Sequence, residues 1–316
     1  MSINELITAS NLIGNKIPLW NQGKGGNCSF KNNLIDNIIW IKASGYRLDK
    51  VSLESGLVSV DIDKASKKLL EIFHQFSNRD INYDDEKDYE NILLNSAYHT
   101  NSNLKPSMET GLHIVLKKDF VFHFHSTAAL IMYEFKDKTN EFYKKYPQYK
   151  VSFIKFIQPG LELAYEVWKK NESDIFILQN HGVILQSNNI NILKSWEMME
   201  KEFFQFIKRP DVNKLYTSNA NFSLKGSSAP LKFYFPDSLV FENNLISILK
   251  FIKTKNGQNY YEIDPLKKEL DKNAFELWEA TSLIYNYFPQ TLEIPKEAGK
   301  RTIDLPFEKH RVSQTQ

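Results

Sequence analysis

The run Asp-Phe-Val-Phe-His-Phe-His-Ser, residues 119–126, constrains this chain more than any other segment. It alternates and is rich in β-forming residues, so it reads as a strand. The two-residue period of a strand puts His123 and His125 on one face and Phe122 and Phe124 on the other. Two imidazoles so placed suit two ligands of a single metal ion.

A third histidine stands where it could join them. DIFILQ is a buried-strand run, and Asn180-His181-Gly182 follows it as a turn that can aim His181 beside a sheet. Three histidines with one open position form a catalytic zinc pattern. The imidazoles must be neutral to bind, so affinity should fall in acid. The ordinary reading of a solvated or hydrogen-bonded histidine stays open for each. It is the reading given to His74, His99 and His310. His113 lies four residues after Glu109 and could share a helical face with it, as a supporting or structural residue rather than a ligand.

Glu109 lies in KPSMETGLH. A carboxylate near a metal and shielded from water can be tuned toward the acidity a general base needs. Taken alone, it reads equally as an acid that favours a helix N-terminus. Gly23, Gly25 and Gly26 precede Asn27 and Ser29 in GKGGNCS, a loop that could offer N–H groups to an anion. Ala43-Ser44-Gly45 and Ser107 could add further small polar contacts. Ordinary turns explain the same residues. The loop has neither the dinucleotide G-x-G-x-x-G spacing nor the Gly-Lys-Ser/Thr end of a P-loop.

Helical and strand patterns alternate from residue 1 to about 208. IIWIKA reads as a strand stopped by Ser44-Gly45. ASKKLLEIFHQFSN reads as a helix on the spacing of Leu69, Leu70, Ile72, Phe73 and Phe76. Ser126 or Thr127 can cap a helix through AALIMYEF. A helix follows the Pro159-Gly160 break, and an amphipathic one spans NILKSWEMMEKEFFQFIK. The polar stretch 209–232 reads as a connection. Beyond it come a β-like piece, LKFYFPDSLVF, then helical patterns around NLISILKFIK and AFELWEATSLIYNYF. The expected division is a catalytic domain over 1–210 and a C-terminal extension or small subdomain over 211–316.

Composition narrows the class. The 316 residues are 42% hydrophobic and 25% charged, the balance of a soluble globular protein. Forty basic and 38 acidic side chains nearly cancel, which argues against a nucleic-acid partner. The single cysteine, Cys28, excludes an internal disulfide. No stretch has the roughly 18 apolar residues of a membrane span. No secretory signal is evident, so the cytoplasm is the expected setting.

Taken in order, GGNCSFK, IKASGYRL, KPSMETGLH, VFHFHS, QPGLELAYEVW and LQNHGVI resemble the class II aldolase/adducin family over about residues 20–205. The resemblance implies an α/β fold, a three-layer α/β/α sandwich around a mostly antiparallel sheet. Here it would carry a smaller C-terminal extension, as in the longer branch that includes aldolase-like halves of short-chain dehydrogenase fusions. It implies a divalent metal, usually zinc (or manganese, cobalt or iron), on His123, His125 and His181, and Glu109 as acid/base. Asn27, Ser44, Gly45 and Ser107 match the phosphate-binding positions. Met108 departs from the family's second small polar residue before the glutamate. The implied activity is an aldolase-type lyase acting on a sugar or sugar phosphate through a metal-stabilised enediolate. Epimerases, dehydratases and decarboxylases share that chemistry, and adducin-like members are non-catalytic assembly proteins. Homo-oligomers, tetramers or dimers, are the implied assembly, with no membrane or nucleic-acid partner.

Overall fold

The computed structural model describes residues 2–32, 37–76, 79–98, 104–209, 228–267 and 271–305. The first part of the chain runs α1 (Ile3–Gly14), β1 (Asn27–Asn32), β2 (Ile38–Lys42), β3 (Leu57–Asp61), α2 (Ile62–Gln75), α3 (Tyr83–Ser96), α4 (Thr110–Val115) and β4 (Phe120–Phe124). It continues through α5 (Thr127–Glu134), α6 (Lys136–Tyr143), β5 (Val151–Ile154), α7 (Leu161–Lys169), β6 (Ile175–Leu178), β7 (Gly182–Ser187) and α8 (Ile192–Phe206).

These strands form one seven-stranded sheet in the order β3-β2-β1-β4-β7-β6-β5. Only β5 and β6 pair parallel; the other neighbours are antiparallel. Alternation along each strand feeds two cores. Phe120, Phe122 and Phe124 of β4 pack on one face with buried residues of α1, α5 and α8. Val121 of β4 packs on the opposite face with buried residues of α2, α3, α4 and α7. The outcome is the three-layer α/β/α arrangement that the sequence led us to expect.

Local chemistry explains the boundaries that matter for the site. Ser126 caps α5 by accepting from the Ala129 N–H at 3.1 Å, so the helix begins just after His125, which lies one residue past the end of β4 rather than within the strand. Gly160, at φ 104°, makes the break from which α7 starts. Asn180, at φ 52°, and Gly182, at φ 138°, flank His181 in the turn from β6 to β7. A Cβ on Gly182 would come within 2.2 Å of the Phe124 carbonyl oxygen, so only glycine lets β7 close on the end of β4.

The later segment holds β8 (Ala229–Pro230), α9 (Pro236–Val240), α10 (Glu242–Ile248), β9 (Leu249–Lys255), β10 (Gln258–Ile263), α11 (Lys272–Tyr287) and α12 (Lys296–Ile303). Three strands form a small sheet in the order β8-β10-β9. Two expectations fail here. LKFYFPDSLVF is not a strand: Tyr234 and Phe235 are buried in the main core, and Pro236 opens a short helix with the φ a first turn needs. The helical reading of NLISILKFIK stops at Ile248, and the remainder is β9. Asn256 and Gly257, both at positive φ, make the tight turn into β10. An Asn-Gly pair between apolar runs is a strong hairpin signal. The connection read over 209–232 lies mostly outside the described residues. No helix of the described residues is long and apolar enough to cross a membrane.

Candidate metal centre

The antiparallel pairing of β4 with β7 brings the end of β4 against the start of β7, where the turn presents His181. One ligand nitrogen from each of His123, His125 and His181 lies within 4.8 Å of the others, and all three residues are buried. Their ring centroids are 4.7–5.4 Å apart. The His123 Nδ1–H donates to the Val183 carbonyl at 3.0 Å. That bond fixes the tautomer and leaves the Nε2 lone pair facing the cluster, the usual outer support of a histidine ligand.

Glu109 sits directly against this group. Its Oε1 is 3.4 Å from Nε2 of His123 and 3.4 Å from Nε2 of His181. Neither Glu109 Oε1 nor His123 Nε2 makes a hydrogen bond, although both atoms are buried. Buried polar atoms rarely go unsatisfied without a functional reason or a bound ion. A divalent cation among these donors would satisfy them, so the residues fit the metal that the sequence pattern implies.

Strand β1 holds the glutamate in place. Its alternate residues Asn27, Ser29 and Lys31 all engage α4 and its caps. The Asn27 amide donates to Glu109 Oε2 at 2.6 Å. Ser29 Oγ lies 2.7 Å from His113 Nδ1. The Lys31 ammonium donates to the Ile114 and Leu116 carbonyls at the end of the helix. Burial pushes the Lys31 amine down to about 7. It also holds His113 well below the usual histidine range, with smaller contributions from His123 and Lys31. Burial thus favours the neutral form of His113.

A small cleft opens onto the cluster. Asn27, Ser44, Gly45 and Ser107 all line it, along with Met108, Glu109, His125 and His181. Ser107 also accepts from the Glu109 backbone N–H at 3.2 Å. Gly25 lines the cleft too, so close to His125 that a Cβ there would come within 2.6 Å of Cε1. No tyrosine lines it among the described residues.

Several contributors were not read from the sequence. Lys24, Lys42 and Asp237 line the same cleft. Lys42 follows the alternation of β2, and its ammonium donates to the Tyr46 carbonyl at 2.7 Å. Glu200 of α8 is fully buried and accepts from Trp20, Trp196 and Ser126, each at 2.6 Å. Burial pushes its carboxyl up to about 7. Through Ser126 it braces the end of β4. Cys28 is buried, and burial raises its thiol to about 12, which disfavours the reactive thiolate. His74 packs edge-on against Trp168, while His99 and His310 lie outside the described residues.

A family model described as the class II aldolase and adducin N-terminal domain matches residues 4–200. Among solved structures, the chain is similar to the N-terminal class II aldolase domain of a conserved protein from Thermoplasma acidophilum. The two are 22% identical over 69% of this chain and 94% of that one, with a TM-score of 0.48. An L-fuculose 1-phosphate aldolase is 17% identical over 70% of this chain and 90% of its own, with a TM-score of 0.43. The L-fuculose-1-phosphate aldolase of Thermus thermophilus is 14% identical over 69% and 99%, with a TM-score of 0.42. No curated protein matches the chain significantly.

Proposed function

The chain belongs to the class II aldolase and adducin family, and from that premise we propose that it is a metal-dependent lyase that forms or breaks a C–C bond in a sugar or sugar phosphate. In this reading His123, His125 and His181 hold one divalent ion, zinc by preference, because three neutral imidazoles suit it. The observation that carries the reading is Glu109 Oε1 at 3.4 Å from two of the three histidines. A metal bound there supplies Lewis-acid stabilisation of negative charge on a substrate oxygen, worth several kcal/mol.

The protein's own residues do the rest. Glu109 takes or returns the proton at the reacting carbon or its hydroxyl. A carboxylate within hydrogen-bond reach of the substrate contributes on the order of 10²–10⁴-fold. Asn27 holds the carboxylate's second oxygen, so the first stays aimed at the histidines. Ser44, Gly45 and Ser107, with Asn27, face the substrate's anionic group, and Lys42 adds a positive charge to that wall. The same groups could serve an epimerase, dehydratase or decarboxylase, which a product assay separates. The complete histidine triad argues against a non-catalytic assembly role, since the metal ligands would be idle there. A homo-oligomer is the assembly this reading assigns on the family resemblance, and the cytoplasm is the setting it assigns on the sequence composition.

Metal analysis of the purified protein tests the reading. About one ion per chain is expected, as a single three-histidine site implies. Glu109→Gln should keep the ion and lose turnover against a panel of ketose phosphates. A protein that holds no metal and takes up no zinc would overturn the proposal, and an active Glu109→Gln variant would remove Glu109 from it.

A further inference from the structure

The C-terminal segment reaches the cleft although the family match ends at residue 200. Three hydrogen-bonded ties fix it there. Glu276 of α11 accepts from the Gly23 N–H at 2.7 Å and, in bidentate fashion, from the Arg47 guanidinium at 3.0 and 3.1 Å. Asn180, next to His181, donates to the Leu292 carbonyl at 2.7 Å. Gln158, next to the cleft residue Pro159, donates to the Ala298 carbonyl at 2.9 Å and accepts from Thr302. A wall held from three sides is preorganised, as a specific binding surface must be.

That wall meets the metal centre at Phe235–Asp237. The Phe235 ring stacks on His125, with centroids 5.8 Å apart and planes at 12°. Asp237 lines the cleft and is 2% exposed. The position a Gly25 Cβ would occupy is 2.7 Å from His125 Nδ1 and 2.9 Å from Asp237 Oδ2. The histidine and the carboxylate therefore flank a single glycine.

We propose that Asp237 is a specificity-determining residue of the cleft: it accepts hydrogen bonds from substrate hydroxyls beside His125 and repels an anionic group from that position. The proposal rests on the metal-centre reading given above. An ionised carboxylate offers acceptors and no donor. Lys42, Ser44 and Asn27 give the cleft donors as well. A substrate with one anionic end and a neutral, polyhydroxylated remainder satisfies both kinds of wall. A substrate with an anion at each end does not, because a carboxylate facing a carboxylate in a partly desolvated site is repelled.

Cobalt-loaded protein titrated with dihydroxyacetone and with hydroxypyruvate, followed by the metal's visible absorption, tests this. The two probes share a hydroxyketone and differ only in a hydroxymethyl against a carboxylate. Asp237→Asn keeps the shape and removes the charge. It should shift the ratio of the two dissociation constants toward hydroxypyruvate by about tenfold, the scale of a hydrogen bond to a charged group. Asp237→Ala should shift it at least as far. A ratio unchanged within about twofold, a few tenths of a kcal/mol, in variants that keep the parent's cobalt spectrum and melting temperature, overturns the proposal. If the parent protein takes up no stoichiometric cobalt, the metal-centre reading fails first and this inference falls with it.

Discussion

Asn27 and Glu109 stand 82 positions apart in the chain, yet the amide of one and the carboxylate of the other are joined by a 2.6 Å hydrogen bond. The bond crosses from a strand to the cap of a helix, and it fixes which oxygen of Glu109 faces the histidines. Asn27→Ala should leave a buried carboxylate oxygen unsatisfied. A loss of about 1.5–3 kcal/mol is expected, the worth of a hydrogen bond to a charged group. Urea unfolding checks it: the midpoint should fall while the slope stays constant. An unchanged midpoint would mean the bond contributes nothing net.

His123 is braced by the Val183 carbonyl and buried against Glu109. His123→Ala should reduce bound metal to under about a tenth of one ion per chain, since two ligands hold zinc far more weakly than three. In the unaltered protein, affinity should decline as pH falls, because protons compete with metal for the imidazoles. Competition against a chromophoric chelator at two pH values measures both. Metal retention by His123→Ala would take this residue out of the ligand set.

Gly25 owes its role to contact, not to backbone freedom, for its Cβ would meet His125 Cε1 at 2.6 Å and Nδ1 at 2.7 Å. Gly25→Ala should push the ring from its place. The expected cost is modest in stability, about 1–3 kcal/mol of overpacking, with a drop of roughly 10-fold or more in metal affinity, as for other disturbances around a ligand. Parent-like affinity would show that the ring can yield without loss.

Glu86 on α3 is buried beside the start of α7, with its Oε2 3.4 Å from the Leu161 N–H. Burial pushes its carboxyl from 4.5 up to about 8. The folded protein therefore keeps a proton that the unfolded chain gives up above pH 4.5. The contribution to stability is fully present below that point. It is lost as pH rises toward 8, by at most about 1.4 kcal/mol for each pH unit crossed. Glu86→Gln should flatten that decline, a result readable from melting temperatures between pH 5 and 8.5. An equal slope in both proteins would locate the pH dependence elsewhere.

What the sequence made legible follows from the range of each interaction. The pair His123 and His125 is a local property of the end of β4 and the residue just past it, and the turn at His181 is marked by its own Asn and Gly. Individual helices followed from their apolar spacing, whereas the three-layer arrangement came from the family resemblance. The ladder of Asn27, Ser29 and Lys31 could not be read this way, because its partners lie more than 80 positions away and meet only through the register of β1 on β4. Asp237 was hidden for another reason. Its aromatic surroundings mimic a strand, whereas Tyr234 and Phe235 are apolar because they plug the main core. The Asn256-Gly257 hairpin, by contrast, was announced in the sequence and outweighed by the apolar run before it.

The pairing of β4 with β7 has a bearing on how this chain reaches its native state. His123 bonds to a carbonyl 60 positions further on, so the triad exists only once the middle of the sheet has closed. In the unfolded ensemble only the local pair could chelate. Loaded protein should therefore gain stability with the logarithm of free ion concentration. Cation uptake during refolding would then time the arrival of β7, one of the slower, long-range events expected of such a topology.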